Sequence, residues 1–407
     1  MKCLVFIILI SPVFANWEMI GPYGGPLYPI ILATPDENIA YCATFNRPPS
    51  IVYRSQDQGS SWERRGRAGD YLFSLAVNPT DPDRLYGGSS GKIYRSTDGG
   101  ATWDSAAVGD YYIYGIYVRP DNPNDVYAIG AEQIGSYHYM AFYRSTNGGS
   151  TWTTRVINDV DWGLTYALAV DPSDPDNLYV GGYIYTTTPT PKMYHSTDGG
   201  NNFIDISNGL STGDYVCAAA VHPTNSNIVY AVTNPGNIYR TTDAGSSWEL
   251  VYTGSITTSI ATSISSPAIV YAGADTVVYK STDAGLTWFI AGTGLGATKY
   301  RQLAVSQNNS DIVLTGDVTG CSRTTDGGTN WVESNYGLNV GMITSFGSSP
   351  LKPATIFTEF EGVAIYKTTD NGTNWEKLPT PLECGNICAF AFHNNNPDIV
   401  LALEGKG

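Results

Sequence analysis

The residues with the clearest potential for chemistry are acidic side chains that recur along the 407-residue chain in two settings. The first setting is a ten-residue pattern, YRSTDGGATW at positions 94–103. The pattern occurs eight times, and the residue at its Asp position is Asp57, Asp98, Asn147, Asp198, Asp243, Asp283, Asp326 or Asp370. Paired carboxylates are what glycoside hydrolysis requires. The Asn in the third copy accepts hydrogen bonds but cannot act as an acid or a base.

We therefore interpret this pattern, called the box below, as a folding device rather than a catalytic motif. Asp98 is placed to accept backbone hydrogen bonds within a turn. Gly100 is expected to adopt a positive φ, which residues with a Cβ resist. Trp103 begins the return strand, and its ring is expected to cover the hairpin.

The second setting is the segment just before an apolar strand, where an acidic residue is followed by an aromatic one. These candidate ligand-binding pairs are Asp70-Tyr71, Asp110-Tyr111, Asp161-Trp162 and Asp214-Tyr215, with Tyr300 and Arg301 at the same place in the seventh unit. Further candidates in the long loops of the third and fourth units are Tyr137, His138, Tyr139, Tyr183 and Tyr185. Aromatic faces with carboxylates suit a sugar or peptide groove. Duplication of one ancestral repeat would produce the same pairs without any ligand.

The elements that position these residues follow from the repeat itself. Successive box positions are 40 to 51 residues apart. Each interval holds an apolar strand (A), a turn rich in Pro and Asp, a second strand (B), a third strand leading into the box (C) and a fourth starting near the box Trp (D). The apolar periodicity stays near two, without an amphipathic helix. Four short strands in about 40–45 residues are typical of a β-propeller blade.

The sequence thus predicts an all-β fold: a single β-propeller of about eight four-stranded blades, each with a box hairpin, over residues 16–407. The tail from Cys388 to Leu403 resembles strands A and B of a further, incomplete blade. Residues 16–21 resemble a D strand that is available to close the ring, and a truncated gene product is an alternative.

The boxes resemble the Asp-box, or BNR, repeat of sialidases, two-propeller xyloglucanases, the luminal domain of sortilin and the photosystem II assembly factor. The resemblance covers about residues 16–404. It implies a propeller fold, and it implies glycoside hydrolysis, peptide binding or assistance in assembly as functions. Sialidases need three converging arginines and a Tyr nucleophile. Here Phe45-Asn46-Arg47-Pro48 departs from their Arg-Ile-Pro signature, although Arg64, Arg67 and Arg301 are possible companions.

Composition excludes several classes of function. Only 14% of the residues are charged and the net charge is −15, so we expect no nucleic-acid partner. Residues 1–15 have the pattern of a secretory signal peptide, with cleavage before Asn16. No later segment is long and apolar enough to span a membrane. We expect a secreted, periplasmic or cell-surface protein, and fusion to further extracellular domains is an open alternative.

No metal site or cofactor is predicted. The cysteines are scattered apart from Cys384 and Cys388, which form either a local disulfide or two buried small side chains. The acidic run at 171–176 repeats an Asp-Pro turn and lacks the spacing of a calcium loop.

We therefore expect an exported binding or scaffolding module that recognises a protein or glycan ligand on the face of the D–A and B–C loops. One alternative is a glycoside hydrolase of the sialidase or xyloglucanase type, and a second is an assembly factor that binds a partner protein.

Overall fold

The computed structural model describes residues 27–404 except 35, 46–47, 158–161, 186, 212–214, 255–256, 275–276, 293, 296–301, 318–319, 339–342, 350, 361–363, 379–386, 393–395 and 397–398. The predicted signal peptide and the strand expected at 16–21 lie outside these residues. All regular elements of the described part are β-strands, and none of its segments is a helix of the length and apolarity needed to cross a membrane.

The chain divides into two compact units, of which the larger covers Tyr23–Met342 and contains seven four-stranded antiparallel sheets. Its first sheets are β1 (Leu27–Leu32), β2 (Ala40–Thr44), β3 (Ile51–Ser55) and β4 (Glu63–Arg67); β5 (Ser74–Asn78), β6 (Asp81–Gly88), β7 (Ser90–Ser96) and β8 (Asp104–Tyr112); and β9 (Gly115–Val118), β10 (Val126–Ile134), β11 (Tyr137–Ser145) and β12 (Thr153–Val156).

The remaining four sheets of this unit have the same strand order. They are β13 (Gly163–Val170), β14 (Leu178–Tyr185), β15 (Pro189–Ser196) and β16 (Ile204–Asp205); β17 (Tyr215–Val221), β18 (Val229–Asn234), β19 (Asn237–Thr241) and β20 (Glu249–Thr253); β21 (Thr257–Thr262), β22 (Val270–Ala274), β23 (Val278–Ser281) and β24 (Phe289–Ile290); and β25 (Gln302–Val305), β26 (Val313–Asp317), β27 (Gly320–Thr324) and β28 (Val332–Glu333).

The core of the larger unit is divided among the seams between neighbouring sheets. Both faces of the middle strands are apolar, as in Ala40–Thr44, which is buried throughout, so each sheet packs against a neighbour on either side. Buried clusters join sheets one and two, two and three, three and four, four and five, five and six, and six and seven. A seventh cluster joins the last sheet to the first, with Leu27 and Ile30 packed with Leu314 and Cys321.

Polar contacts reinforce the seam between the first and seventh sheets. The indole Nε1 of Trp62 donates to the carbonyl of Ser334 over 2.9 Å, and its backbone N–H donates to Tyr336 over 2.9 Å. Arg323 Nε donates to the carbonyl of Gln58 over 2.9 Å. The seven sheets of Tyr23–Met342 therefore form a closed ring.

The other unit contains Ile343–Gly407 together with Met1–Pro22, and it holds an eighth four-stranded sheet. Its strands are β29 (Ile343–Ser349), β30 (Lys352–Phe360), β31 (Ala364–Thr368) and β32 (Glu376–Lys377), followed by a two-stranded sheet of β33 (Ile387–Phe392) and β34 (Val400–Glu404). The eight four-stranded sheets of the described residues confirm the predicted all-β propeller class with about eight blades, and seven of these sheets form the closed ring of Tyr23–Met342. The two strands expected in the tail are also present. The pairing proposed for Cys384 and Cys388 lies outside the described side chains.

Candidate functional site

The strands of each sheet in the ring are connected at both of their ends, and the connections at the two ends differ. The box turns and the A–B turns share one edge, as shown by the N–H of Gly99, which donates to the carbonyl of Asp83, and that of Gly148, which donates to Asn124, each over 2.8 Å. Because the strands are antiparallel, the D–A and B–C connections lie at the opposite edge. We call these the box edge and the D–A edge.

At the box edge, the side chain of every box Asp or Asn is hydrogen-bonded within its own turn. Its Oδ1 accepts a hydrogen bond from the hydroxyl two residues earlier over 2.6–3.0 Å. It also accepts one from the N–H four residues later over 2.8–3.0 Å. In the third box, Asn147 Nδ2 donates to Thr151 Oγ1 over 2.8 Å, where an Asp would accept.

These hydrogen bonds hold the box carboxylates in their charged form. At Asp98, burial acts to raise the pKa, but hydrogen bonds from Thr102 and Ser96 outweigh it and bring the pKa to about 2. At Asp283, hydrogen bonds from the Thr287 hydroxyl and N–H lower the pKa to about 2. A carboxylate with so low a pKa is a poor general acid or base near neutral pH.

The box backbone also has the geometry that the sequence predicts, with one addition. The recurrent box glycines have φ between 79° and 94°, which confirms the positive φ expected at Gly100. The residue before each of them also has a positive φ. That residue is Gly in four of the boxes and Gln58, Ala244, Ala284 or Asn371 in the others.

Basic side chains at the box edge tie neighbouring sheets together. The cation that follows the first box residue donates to a box carbonyl of the next sheet over 2.9–3.1 Å, in the pairs Arg95–Gly148, Arg144–Gly199, Arg240–Ala284, Lys280–Gly327 and Arg323–Gln58. This edge also carries cation–π contacts, such as Arg144 over Tyr127 at 5.5 Å and Lys280 over Tyr271 at 5.2 Å. Its charged groups therefore serve the structure of the ring.

The D–A edge holds the second set of predicted residues. Asp70 and Tyr71 follow β4, and Asp110 and Tyr111 belong to the end of β8. The predicted residues Asp161, Asp214, Tyr300 and Arg301 lie outside the described residues, as does the sialidase-like Arg47. Tyr137 and Tyr185 are exposed at hairpin ends, where Tyr137 pairs with Ile134 and Tyr185 with Pro189. Tyr139 pairs with Glu132.

An unbroken series of ring contacts crosses the D–A edge from the first sheet to the fifth. Neighbouring ring centroids are 4.6–6.1 Å apart. We call this series the aromatic arc; it consists of Tyr28, Phe45, Tyr71, Phe73, Tyr111, Tyr112, Tyr114, His138, Trp162, Tyr166, Tyr183 and Tyr215. Phe45 and Trp162 are 39% and 37% exposed, so the arc is accessible from solvent. Five of the predicted aromatic residues and His138 therefore belong to the arc, and each of them contacts another of its rings.

The inner part of the arc lines a cavity of about 210 Å³ where the first strands of the seven sheets meet. Tyr28, Phe73, Tyr114 and Tyr166 form its aromatic side, and Cys217, Ser259 and Gln302 contribute to the other side. Burial raises the pKa of Tyr28 to about 12, with a smaller effect of Cys217, and burial also raises the pKa of Tyr114 and Tyr166. The phenols of this cavity are therefore neutral at physiological pH.

A pair of acidic groups lies beside the outer part of the arc. Glu132 Oε2 is 3.1 Å from the hydroxyl of Tyr143, and Asp110 is close enough for the two charges to interact. Burial raises the pKa of Glu132 despite the Tyr143 hydrogen bond, and the charge of Asp110 raises it further. We call Asp110 and Glu132 the acidic pair. Asp70, by contrast, accepts a hydrogen bond from the N–H of Tyr71 over 2.8 Å.

Several residues of this edge were not expected from the sequence. They are Tyr28, Phe45, Phe73, Tyr112, Tyr114, Tyr166 and Glu132. Four of them share one repeat position, four residues before the last apolar residue of the inner strand, as in Phe73 before Val77 and Tyr114 before Val118. That spacing is the signal that identifies them.

The edge presents ring faces, phenol hydroxyls and carboxylates, which are the kinds of group that line ligand sites in proteins. In the described ranges, no group of three or more His, Cys, Asp or Glu side chains is arranged to hold a metal ion.

Comparisons with known proteins agree with this architecture. A family model described as Sortilin-Vps10 ("Sortilin, neurotensin receptor 3") matches residues 50–180. No curated protein sequence matches the chain significantly.

Solved structures are similar over most of the chain. YCF48 from Cyanidioschyzon merolae has 16% identity and a TM-score of 0.52, covering 75% of this chain and 98% of its own. A structure of YCF48 bound to D1 peptide has 15% identity and a TM-score of 0.54, covering 77% and 98%. The GH74 enzyme of Niastella koreensis has 16% identity and a TM-score of 0.36, covering 88% and 79%.

The two YCF48 structures show that this chain shares a β-propeller fold, which agrees with the resemblance of its boxes to the Asp-box repeat.

Proposed function

We propose that this chain is a binding or scaffolding module that recognises a protein or glycan ligand on its D–A edge. The observation that carries the proposal is the aromatic arc, which joins five consecutive sheets and surrounds one side of the axial cavity. Aromatic rings held by one another in fixed positions offer a large contact area at a low cost in conformational entropy.

The division of charged groups between the two edges supports binding rather than catalysis. The carboxylates of the boxes are engaged in their own turns, and the basic residues that follow the first box position mostly bind the next sheet. The structure of YCF48 bound to D1 peptide shows that a similar fold can hold a peptide, which supports a protein partner for this chain. A secreted, periplasmic or cell-surface location is proposed from residues 1–15 alone, whose pattern is that of a secretory signal peptide.

A glycoside hydrolase is the second candidate, and the acidic pair favours it. Two carboxyl groups beside aromatic rings, one of them with a raised pKa, are the arrangement that glycosidases use for a general acid and its partner. In this candidate Glu132 is the acid and Asp110 the partner carboxylate. An assembly factor that binds a partner protein is a variant of the first proposal.

Binding is tested with the full chain on glycan and peptide arrays. A variant with Phe45→Ser and Trp162→Ser removes two exposed rings of the arc. The matched control, Phe289→Ser with Ile290→Ser, removes two side chains that are 49% and 57% exposed on the outer strand β24. We expect the arc variant to lose at least tenfold in affinity for any array ligand, because each desolvated aromatic contact contributes about 1 kcal/mol or more.

Equal affinity of both variants for the ligand would refute the proposal. Hydrolysis of an array glycan by the full chain, abolished by Asp110→Asn or Glu132→Gln, would establish the enzyme instead.

A further inference from the structure

The axial cavity is lined by residues that a recurring backbone irregularity places there. The pairing of β13 with β14 skips Tyr166, and the pairing of β17 with β18 skips Cys217. The register of β1 on β2 shifts in the same way, at Tyr28 and Pro29. All four residues line the cavity. A β-bulge changes the direction of a side chain and is over-represented beside functional sites, so the same local device directs these three strands toward the axis.

The two sides of the cavity differ in chemistry. On one side, the ring centroids of Phe73 and Tyr114 are 5.6 Å apart and those of Tyr114 and Tyr166 are 4.8 Å apart, so these rings form a continuous wall. On the other side, the sixth and seventh sheets contribute Ser259 and Gln302. None of the described residues that line the cavity carries a formal charge. The cavity therefore combines ring surfaces with uncharged hydrogen-bonding groups.

The volume and the lining of the cavity restrict its occupant. The volume of about 210 Å³ lies between the roughly 150 Å³ of an apolar cavity that holds benzene and the roughly 300 Å³ at which sites for drug-sized ligands begin. One ring of a side chain fits such a space. A charged group would lose its hydration there without an opposite charge among the described lining residues. A sugar ring carries several hydroxyls, and those residues include no carboxylate to accept hydrogen bonds from them.

We propose that the axial cavity binds the ring of a Tyr or Trp side chain of a protein partner. This inference rests on the proposed function, because it names the residue that anchors the partner at the D–A edge. The ring packs against Phe73, Tyr114 and Tyr166, and its hydroxyl or N–H is directed to the opposite side, where the amide of Gln302 can donate and accept. Aromatic anchors in central, desolvated pockets carry a large share of the affinity of protein interfaces.

Occupancy of the cavity can be measured at Cys217, which is half-buried on its lining. The full chain is alkylated with iodoacetamide at pH 8, and peptide mass spectrometry follows the reaction at this residue. We expect N-acetyl-tryptophan amide or N-acetyl-tyrosine amide at about 10 mM to slow alkylation about threefold, which corresponds to a Kd of about 5 mM. N-acetyl-leucine amide, choline and methyl β-glucoside at the same concentration should leave the rate within about 1.5-fold, because they lack an uncharged aromatic ring.

Two variants locate the binding, with saturation-transfer NMR of the same amides as the measurement. Cys217→Tyr introduces a ring at the repeat position where the first four sheets already carry one, so it fills the cavity and should reduce the signal of the tryptophan amide at least threefold. Its control, Thr253→Tyr, adds the same ring at the exposed end of β20 and should leave the signal unchanged.

The second variant, Gln302→Leu, removes the polar group opposite the aromatic wall. It should weaken binding of the tyrosine amide about threefold or more and leave N-acetyl-phenylalanine amide unaffected, since only the former has a hydroxyl to pair. Circular dichroism establishes that each variant is folded.

The opposite results overturn the inference. Protection of Cys217 by choline or methyl β-glucoside that equals protection by the tryptophan amide would show a site for a cation or a sugar. An undiminished signal in Cys217→Tyr would place the binding of the amides outside the cavity. In each of these cases the proposed function stands if an array ligand still depends on Phe45 and Trp162. Array ligands that depend on neither residue would remove the proposed function, and this inference with it.

Discussion

The role of the box carboxylate is tested most directly at Asp98, because the chain contains its own amide version of the same turn. Asp98 Oδ1 accepts from Ser96 Oγ over 2.8 Å and from the N–H of Thr102 over 2.9 Å, and Oδ2 accepts from Thr102 Oγ1 over 2.6 Å. Asn147 keeps the first two contacts, and its Nδ2 donates to Thr151 Oγ1. Asp98→Asn should therefore retain the geometry and lose only the charge, whereas Asp98→Ala loses both.

The expected loss of stability in each variant follows from the pKa of Asp98 and from the exposure of its carboxylate. A fall from 3.8 to about 2 corresponds to about 2.4 kcal/mol at pH 7 before solvent screening. Because this carboxylate is partly exposed, we discount the charge contribution to about 1 kcal/mol. Ala also removes hydrogen bonds worth about 0.5–1 kcal/mol each, for a total of about 2–3 kcal/mol. The folded-state pKa is the lower one, so this stabilisation is present above about pH 4 and is lost as pH falls toward 2.

Amide hydrogen exchange reports this local stability without requiring two-state unfolding of the whole chain. At pH 7, the N–H groups of Gly100 and Thr102 should exchange roughly thirtyfold faster in Asp98→Ala and roughly fivefold faster in Asp98→Asn, from about 2 and about 1 kcal/mol. Asn147→Asp is the reciprocal variant and should slow exchange at Gly149 and Thr151. An Asn variant as damaged as the Ala variant, or an Ala variant with native exchange, would refute the reasoning.

Three further predictions concern the backbone and the ring. Gly337→Ala should destabilise the seam between the first and seventh sheets by more than about 3 kcal/mol, because its φ is +89° and a Cβ would lie 1.9 Å from the carbonyl oxygen of Trp62. Gly135→Ala is its control, with φ +67° and no atom within 4 Å of the Cβ, and should cost only about 1 kcal/mol in thermal unfolding. Ala244→Gly should stabilise by about 0.5–1 kcal/mol in guanidinium denaturation, since relief of the strain at φ +56° exceeds the entropy cost of Gly; unchanged stability would contradict it. Arg323→Met should lower stability by about 1–2 kcal/mol and increase proteolysis at the same seam, and unaltered proteolysis would argue against that ring contact.

The boxes could be predicted from the sequence in considerable detail because their contacts are local. The acceptor at position 98 is two residues from Ser96 and four from Thr102, and the φ of Gly100 depends on the same turn. The strand pattern and the unit length then determine the all-β propeller class. Only the left-handed residue before the recurrent Gly was missed, since Gln58 and Ala244 occupy it as readily as Gly does.

The closure of the ring, the aromatic arc and the acidic pair depended on the tertiary structure. Tyr114 and Tyr166 are 4.8 Å apart between ring centroids although they belong to different sheets, and Trp62 bonds to Ser334 across the closing seam. Glu132 stands in no recurring pattern, and its charge interacts with that of Asp110 only because the β10–β11 hairpin packs beside β8. Repeat spacing establishes which residues occupy equivalent positions. The packing of one sheet on the next decides which of them touch, because that packing sets distances between residues far apart in the chain.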